Sequence, residues 1–327
     1  MKIGLKTVLI VCVGLCARAT FGHDIPVHQA ITFNAAESAY DESSAYSNFV
    51  NVISPDLSYL GSQGATNAMV NGSGLEDNID VTGDVGGERS LNHFYDPTKS
   101  PPIGLTDTGW PWPLSSTPLG RDSFSWASLS NETDINASFI HIPLNRGTYN
   151  IWSWQNARGY EWLGLTTATH LERQTNLASM FRAAGQVMHL LEDTSQPQHV
   201  RNEQHLDRIP HLKTDLWSRS AIEDYGKKNV TNLNYAHGML NWNGAGFTQL
   251  KDFWDRSKLS GGATALNADY VSGGASTLGL AEFTSGNFIG QRAIYAEFFP
   301  NQGDIHYFAY PASLPPARTF TSPSRKS

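Results

Sequence analysis

A helical segment that ends in a His-Asp pair constrains this sequence more than any other feature. Between residues 177 and 193, apolar side chains recur every three or four positions, which is the period of an α-helix with one buried face. His189 and Asp193 stand four residues apart in this segment, so a helix places both on the same face. Pro197 prevents a straight helix from continuing. The segment therefore predicts a buried helix that ends beside two potential metal ligands.

Three further residues extend this pattern. His199 follows the turn at Pro197, where the chain can return toward the helix end, and His211 and Asp215 repeat the four-residue spacing. A lone pair at this spacing is most often a hydrogen-bonded surface pair. Here, however, the pairs and His199 supply five candidate ligands, with nitrogen and oxygen donors of the kind that zinc accepts. Because one zinc ion normally takes no more than four ligands, the sequence predicts more than one ion.

Two upstream segments carry further candidates. The stretch VHQAITFNAAESAY predicts a helix that begins near His28, with Ala30, Ile31 and Phe33 facing inward. His23 and His28 either flank a frayed chain end or supply ligands.

The segment NHFYDP is the second strong local signal. His93 lies there among aromatic residues just before a proline, as either a core histidine held by the backbone or a ligand. Asp77 and Asp80 lie a short way upstream, and either can supply a carboxylate to the same place.

The first 22 residues are typical of a secretory signal. Two lysines precede an apolar run over residues 8–15, which is too short to cross a bilayer as a helix. Cleavage after Ala19 or after Gly22 fits the pattern, and the second would make His23 the N-terminus, with its amine and carbonyl as a chelate. We therefore expect a secreted or periplasmic protein.

Composition excludes one class of protein and disfavours another. Both cysteines, Cys12 and Cys16, lie in the predicted signal, so the mature chain has no disulfide scaffold. Without residues 1–22 the chain has 20 Lys and Arg against 30 Asp and Glu, a net charge of −10. This balance disfavours a nucleic-acid binder that relies on a basic surface.

The rest of the chain is organised around one domain, at residues 23–245. Within it, residues 98–150 are rich in proline and show no sustained helical period, so we expect an ordered surface insertion there. Helical patterning returns over 151–192. Residues 246–327 form a C-terminal extension that ends in a proline- and serine-rich tail, which we expect to be disordered.

In combination, these motifs resemble the zinc-dependent phospholipase C family, which includes the catalytic domains of the alpha-toxins and shares a superfamily with the zinc-dependent single-strand nucleases. The likeness covers residues 23–225 and rests on NHFYDP, His189-x3-Asp193-x5-His199 and His211-x3-Asp215. It implies an all-α, multi-helix, zinc-dependent phospholipase C-like domain with long loop insertions. It also implies three zinc ions.

The resemblance implies a role for each candidate ligand. His23 matches the family's N-terminal ligand through its amine and carbonyl, although the family usually begins with tryptophan, and His28 matches the histidine soon after it. His93 matches the histidine of HFYDP, with Asp77 as first choice and Asp80 as second for the carboxylate upstream.

The downstream ligands follow in the same way. His189 matches the helix histidine, and Asp193 matches the carboxylate that bridges two ions. The remaining zinc matches three residues: His199, His211 and Asp215. His205 competes with His211 for this role, and many relatives have glutamate where Asp215 stands.

The implied activity is that of a secreted phosphodiesterase of phospholipase C type, which hydrolyses the head-group phosphodiester of a phospholipid with water that the metals activate. Asp77 would orient that water or take its proton. Two features are closer to the phospholipases: the full HFYDP motif and the separation of His199 from His211. The spacing of five residues from His23 to His28 is closer to that of the nucleases.

The expected partners are a phospholipid or another phosphodiester and, transiently, a membrane surface. No obligate protein partner is indicated. Two alternatives stay open: a zinc-dependent single-strand nuclease or nucleotidase, for which nucleic acid is the partner, and a non-catalytic zinc-binding exported protein.

Overall fold

The computed structural model describes residues 24–57, 64–77, 89–106, 118–130, 150–203, 221–232, 249–256 and 279–287. Within these ranges the regular elements are helices and there is no strand, so the predicted all-α class is confirmed. The helices are α1 (Ile25–Glu42), α2 (Ser44–Leu57), α3 (Gly64–Glu76), α4 (Ser123–Ser128), α5 (Trp154–Thr166), α6 (His170–Asp193), α7 (Pro197–Val200), α8 (Ala221–Asn229), α9 (Lys251–Trp254) and α10 (Leu280–Asn287). None of the helices in the described ranges combines the length and apolarity needed to cross a bilayer.

Helix α6 is the central element of the fold. It packs mainly against α3 and α5, and its second half is fully enclosed, since residues 183–203 are all buried. The helical pattern over 151–192 is divided into two helices because Thr169 interrupts it. The Thr169 side chain accepts a hydrogen bond from the backbone N–H of Glu172 and so caps the start of α6. Pro197 occupies the first turn of α7, as its fixed φ favours.

Two glycines let α3 and α6 approach closely. A Cβ on Gly185 would lie 2.0 Å from the carbonyl oxygen of Met69, and one on Gly72 would lie 2.2 Å from that of Arg182. Any side chain at either position would therefore force the two helices apart. The close approach places the carbonyl of Ser73, next to Gly72, against His189 of α6.

Helix α1 begins after Asp24, whose side chain accepts a hydrogen bond from the backbone N–H of Ile25. Its inward face carries Val27, His28 and Ile31. The prediction that Phe33 faces inward is wrong, because Phe33 is 38% exposed. On a 3.6-residue period, position 33 points well away from the face that positions 28 and 31 share.

The described parts of the predicted insertion and extension contribute to the main core. Phe253 and Trp254 of α9 and Ala281 of α10 belong to the same cluster of buried apolar side chains as α6. Trp254 Nε1 donates a hydrogen bond to Ser123 Oγ of α4, with the two atoms 3.0 Å apart. The predicted signal sequence and the proline-rich tail lie outside the described residues.

Candidate metal centre

Six of the predicted site residues come together at the C-terminal end of α6. They form three overlapping groups whose potential ligand atoms lie within 4.8 Å of one another: His28, His189 and Asp193; Asp77, His93 and His189; and His93, Asp193 and His199. The rings of His93 and His189, far apart in sequence, have centroids 4.8 Å apart. The buried His and Asp side chains can therefore hold metal ions.

Asp193 lies at the middle of the cluster because α6 ends there. Its Oδ1 is 3.2 Å from His28 Nε2. Its Oδ2 is 2.9 Å from His93 Nδ1 and 3.3 Å from both His189 Nε2 and His199 Nδ1. The two oxygens thus face different imidazoles, as a carboxylate that bridges two cations requires.

The backbone of α3 sets the orientation of His189. His189 Nδ1 lies 2.6 Å from the carbonyl oxygen of Ser73, and since a carbonyl only accepts, Nδ1 must carry the proton. His189 Nε2 then faces the cluster, where neither it nor Asp193 Oδ2 has a hydrogen-bond partner among the described residues. Buried polar atoms in that condition are costly, and a cation would satisfy both.

His28 approaches the cluster from α1. Its ring stacks on that of His189, with centroids 3.5 Å apart and 17° between the planes. Its Nδ1 lies 2.7 Å from Glu192 Oε2, on the side away from Asp193. Glu192 was not predicted from the sequence, because its contact with His28 spans 164 residues and depends on how α1 packs on α6.

His93 lies between the cluster and a buried acid, Glu76. Its Nδ1 faces Asp193 and Asp77, while its Nε2 lies 3.6 Å from Glu76 Oε1. Glu76 also pairs with Arg89, at 2.6 Å between Oε2 and Nη2, and accepts a hydrogen bond from Trp126 Nε1 at 2.9 Å. Sequence reasoning missed Glu76, although it directly precedes Asp77.

The turn after α6 fixes His199. Its ring stacks on Phe94 with centroids 4.7 Å apart, and its carbonyl accepts a hydrogen bond from the backbone N–H of Tyr95 at 2.9 Å. Asn202 has a positive φ of 58°, in the region that asparagine tolerates, and its Oδ1 accepts from the backbone N–H of Thr106. The contacts of Phe94 and Tyr95 join the HFYDP segment to the turn that carries His199, and Asn202 joins that turn to Thr106.

Asp77 marks the side of the cluster that water can reach. Its side chain is 25% exposed, whereas those of the other five residues are 0–6% exposed. Its Oδ1 lies 3.4 Å from His93 Nδ1 and its Oδ2 lies 3.6 Å from His189 Nε2. It is therefore the acid at the opening of the cluster.

The imidazoles and carboxylates of the cluster shift one another's pKa values. Burial raises the pKa of Asp193, but the imidazoles of His199, His189 and His28 outweigh burial and hold that pKa well below its usual value. Burial disfavours protonated His93, yet contacts with Asp193 and Glu76 raise its pKa to about 10. A metal ion would have to displace protons held in this way.

Another carboxylate reaches the edge of the cluster from α8. Glu223 Oε1 accepts a hydrogen bond from Gln196 Nε2 at 2.5 Å, in the turn between α6 and α7. Desolvation is the main cause of the raised pKa of Asp77, and the charge of Glu223 adds to it. The predicted ligands His23, His211 and Asp215 lie outside the described residues, as do the alternatives Asp80 and His205.

The chain matches no family model, no curated protein and no solved structure. Its likeness to the zinc-dependent phospholipases C therefore rests on the motifs alone. The assignment of the metal centre depends on the arrangement of buried imidazoles and carboxylates around Asp193.

Proposed function

We propose that this protein is a secreted or periplasmic zinc-dependent phosphodiesterase that hydrolyses the head-group phosphodiester of a phospholipid, as phospholipases C do. One observation carries the proposal: four imidazoles from separate segments face the two oxygens of Asp193. The signal-like leader supports export, and the motif likeness supports the reaction class.

The donor atoms favour zinc over the common alternatives. Imidazole nitrogen suits zinc, whereas calcium and magnesium prefer a shell made only of oxygen. His28 and Asp193 would hold one ion, and Asp77, His93 and His189 would hold a second, to which Asp193 is also close. His199 would hold a third with His211 and Asp215, as the family likeness implies.

When bound, zinc ions neutralise the charge of a phosphodiester and lower the pKa of a water molecule from about 15.7 toward about 7. The protein's own residues supply position. Asp193 and its imidazoles are enclosed in the core, so their geometry is set before substrate arrives. Asp77, at the opening, would orient the attacking water or accept its proton.

Charge favours a lipid over a nucleic acid as substrate. The mature chain has a net charge of −10, and a polyanion with one phosphate per nucleotide would be repelled by an acidic surface. A zwitterionic phospholipid presents a single phosphodiester and carries no net charge. We therefore expect turnover at the surface of phosphatidylcholine vesicles, with transient contact between protein and membrane.

The test is parallel incubation of the zinc-loaded mature protein with phosphatidylcholine vesicles and with single-stranded DNA. We expect release of phosphocholine, loss of turnover on chelation and its return when zinc is restored. Asp77→Asn should lower turnover about 100-fold or more, since it removes the proposed proton acceptor. DNA turnover without lipid turnover would favour the nuclease alternative, and bound zinc with neither activity would leave a non-catalytic zinc protein.

A further inference from the structure

Glu192 is a fully buried acid that the proposed ligand set does not use. It precedes Asp193 on α6, but its side chain points toward α1, where Oε2 lies 2.7 Å from His28 Nδ1. Its Oε1 accepts a hydrogen bond from Thr32 Oγ1 at 3.1 Å. Both of its oxygens are therefore engaged by residues one turn apart on α1.

This contact determines which nitrogen of His28 faces the cluster. With Nδ1 against the carboxylate, Nε2 lies 3.2 Å from Asp193 Oδ1. In its ionised form the carboxylate only accepts, so it selects the tautomer with the proton on Nδ1. The lone pair of the ring then lies on Nε2, the nitrogen that faces Asp193.

Three of the four buried imidazoles that line Asp193 differ in what lies behind them. His189 donates to a neutral backbone carbonyl, that of Ser73. His93 Nε2 lies 3.6 Å from Glu76 Oε1, and Glu76 also forms an ion pair with Arg89. His28, in contrast, is in hydrogen-bond contact with the carboxylate of Glu192.

We propose that Glu192 is a positioning residue, which orients His28 and strengthens its Nε2 as a metal ligand. Glu192 would thereby set the affinity for a cation at the position that His28 shares with Asp193. The inference rests on the proposed metal centre. A carboxylate behind a ligating histidine fixes the ring and raises its basicity, and loss of such a partner typically weakens metal binding about 10- to 100-fold.

The variant that isolates this effect is Glu192→Gln, because glutamine keeps the size of the side chain but removes its charge. We expect one ion per protein to bind about 10- to 100-fold more weakly while the other ions keep their affinity. Cobalt(II) titration reports this, since its visible spectrum follows each site, and competition with a chelator gives the affinity. Thr32→Val, which removes only the supporting hydroxyl, should weaken the same ion to a smaller extent.

A double variant separates positioning from general support of the fold. If Glu192 acts through His28, Glu192→Gln should have no further effect on cobalt affinity in a His28→Gln background. An additional loss in that background would overturn the proposal.

The matched control is Glu161→Gln on α5. Glu161 is also a buried acid, 8% exposed, and its Oε2 pairs with Arg158 Nε at 3.0 Å. We expect this variant to bind cobalt as the wild-type protein does. Equal losses in both variants, or wild-type affinity in Glu192→Gln with an unchanged circular dichroism spectrum, would overturn the positioning role.

These results are independent of the proposed activity. A selective loss of one ion in Glu192→Gln would support the positioning role even if the wild-type protein cleaved neither lipid nor DNA. In that case only the phosphodiesterase proposal would fail.

Discussion

A His-Asp contact lies at each end of α6, and the two contacts have opposite surroundings. At the N-terminal end, His170 Nδ1 lies 2.5 Å from Asp56 Oδ1, and the two side chains are 55% and 20% exposed. At the C-terminal end, His189 and Asp193 are 0% and 1% exposed and meet three further imidazoles that other segments supply. A His-Asp contact alone therefore does not define a site.

The two contacts differ in their exposure to water and in the number of other charged groups close to them. At the surface, water screens the pair, and such contacts contribute about 0–1 kcal/mol. In the core, each ionised group has lost its hydration, and the cost is offset only where several opposite charges or a cation are close. The C-terminal end of α6 meets that requirement through chain segments that are distant in sequence, which marks it as the candidate metal centre.

The largest expected effect is at the buried end. Asp193→Asn removes the charge that faces four imidazoles, so we expect zinc affinity to fall about 100-fold or more for two ions together and turnover to fall with it. Metal analysis after dialysis, combined with the phosphocholine assay, measures both quantities.

The corresponding change at the exposed end is Asp56→Asn. It removes contacts with His170 and Arg173 at the protein surface, far along α6 from the cluster, so we expect full zinc content, full turnover and a loss of stability below about 1 kcal/mol. Unchanged zinc content in Asp193→Asn, or loss of zinc in Asp56→Asn, would contradict the assignment of the metal centre to the C-terminal end of α6.

The second effect concerns the packing that holds the buried end. Gly185→Ala would place a methyl group 2.0 Å from the carbonyl of Met69, so α3 and α6 must separate. We expect a loss of about 1–3 kcal/mol in the free energy of unfolding, and weaker zinc binding because Ser73 moves with α3. Urea denaturation with and without zinc measures both effects.

The control is Gly159→Ala in α5, where an added Cβ meets no atom within 4 Å among the described residues. There alanine should stabilise the helix by up to about 1 kcal/mol. Equal effects of the two substitutions would mean that the close approach of α3 and α6 is not needed.

The third effect is a dependence on pH. In the metal-free protein, the imidazole contacts with nearby carboxylates outweigh burial and raise the pKa of His93 to about 10 and of His189 to about 9. Burial raises the pKa of Glu192 to about 8. Groups with raised folded-state pKa values contribute stability below their unfolded pKa and lose it as pH rises through the folded value.

The melting temperature of the chelated protein should therefore fall between about pH 7 and about pH 9. Zinc competes with the same protons, so the increase in melting temperature on adding zinc should be larger at the higher pH. Differential scanning calorimetry with EDTA or zinc tests this, and Asp193→Asn should remove most of the difference between the two pH values. A zinc effect independent of pH in the wild-type protein would contradict the expectation.

The sequence was informative about features carried by one segment. The helical period fixed where α6 lies, and the His-x3-Asp spacing placed two candidate ligands at its buried end, because both signals depend only on residues a few positions apart. The convergence of Asp77 and His93 on α6 could be inferred only from the order of motifs.

Contacts between distant segments were not predictable. Glu192 and Glu76 read as ordinary acids in the sequence, and only the packing of α1 and α3 against α6 gives each a histidine partner. The contribution of Trp254 to the core was missed for a similar reason, since its neighbours in sequence show only weak helical period. Phe33 shows the converse error, in which an apolar residue was assigned to the core although its helix turns it outward.

The position of Asp193 at the last residue of α6 has one more consequence. The peptide dipoles of a helix add to roughly half a negative charge at its C-terminus, where acids are disfavoured and cations are favoured. Yet α6 ends with Glu192 and Asp193 and has no basic residue in its last turn. The negative end of the helix dipole repels the two acids but attracts any cation bound next to them. The backbone of α6 would therefore itself help to retain the cations.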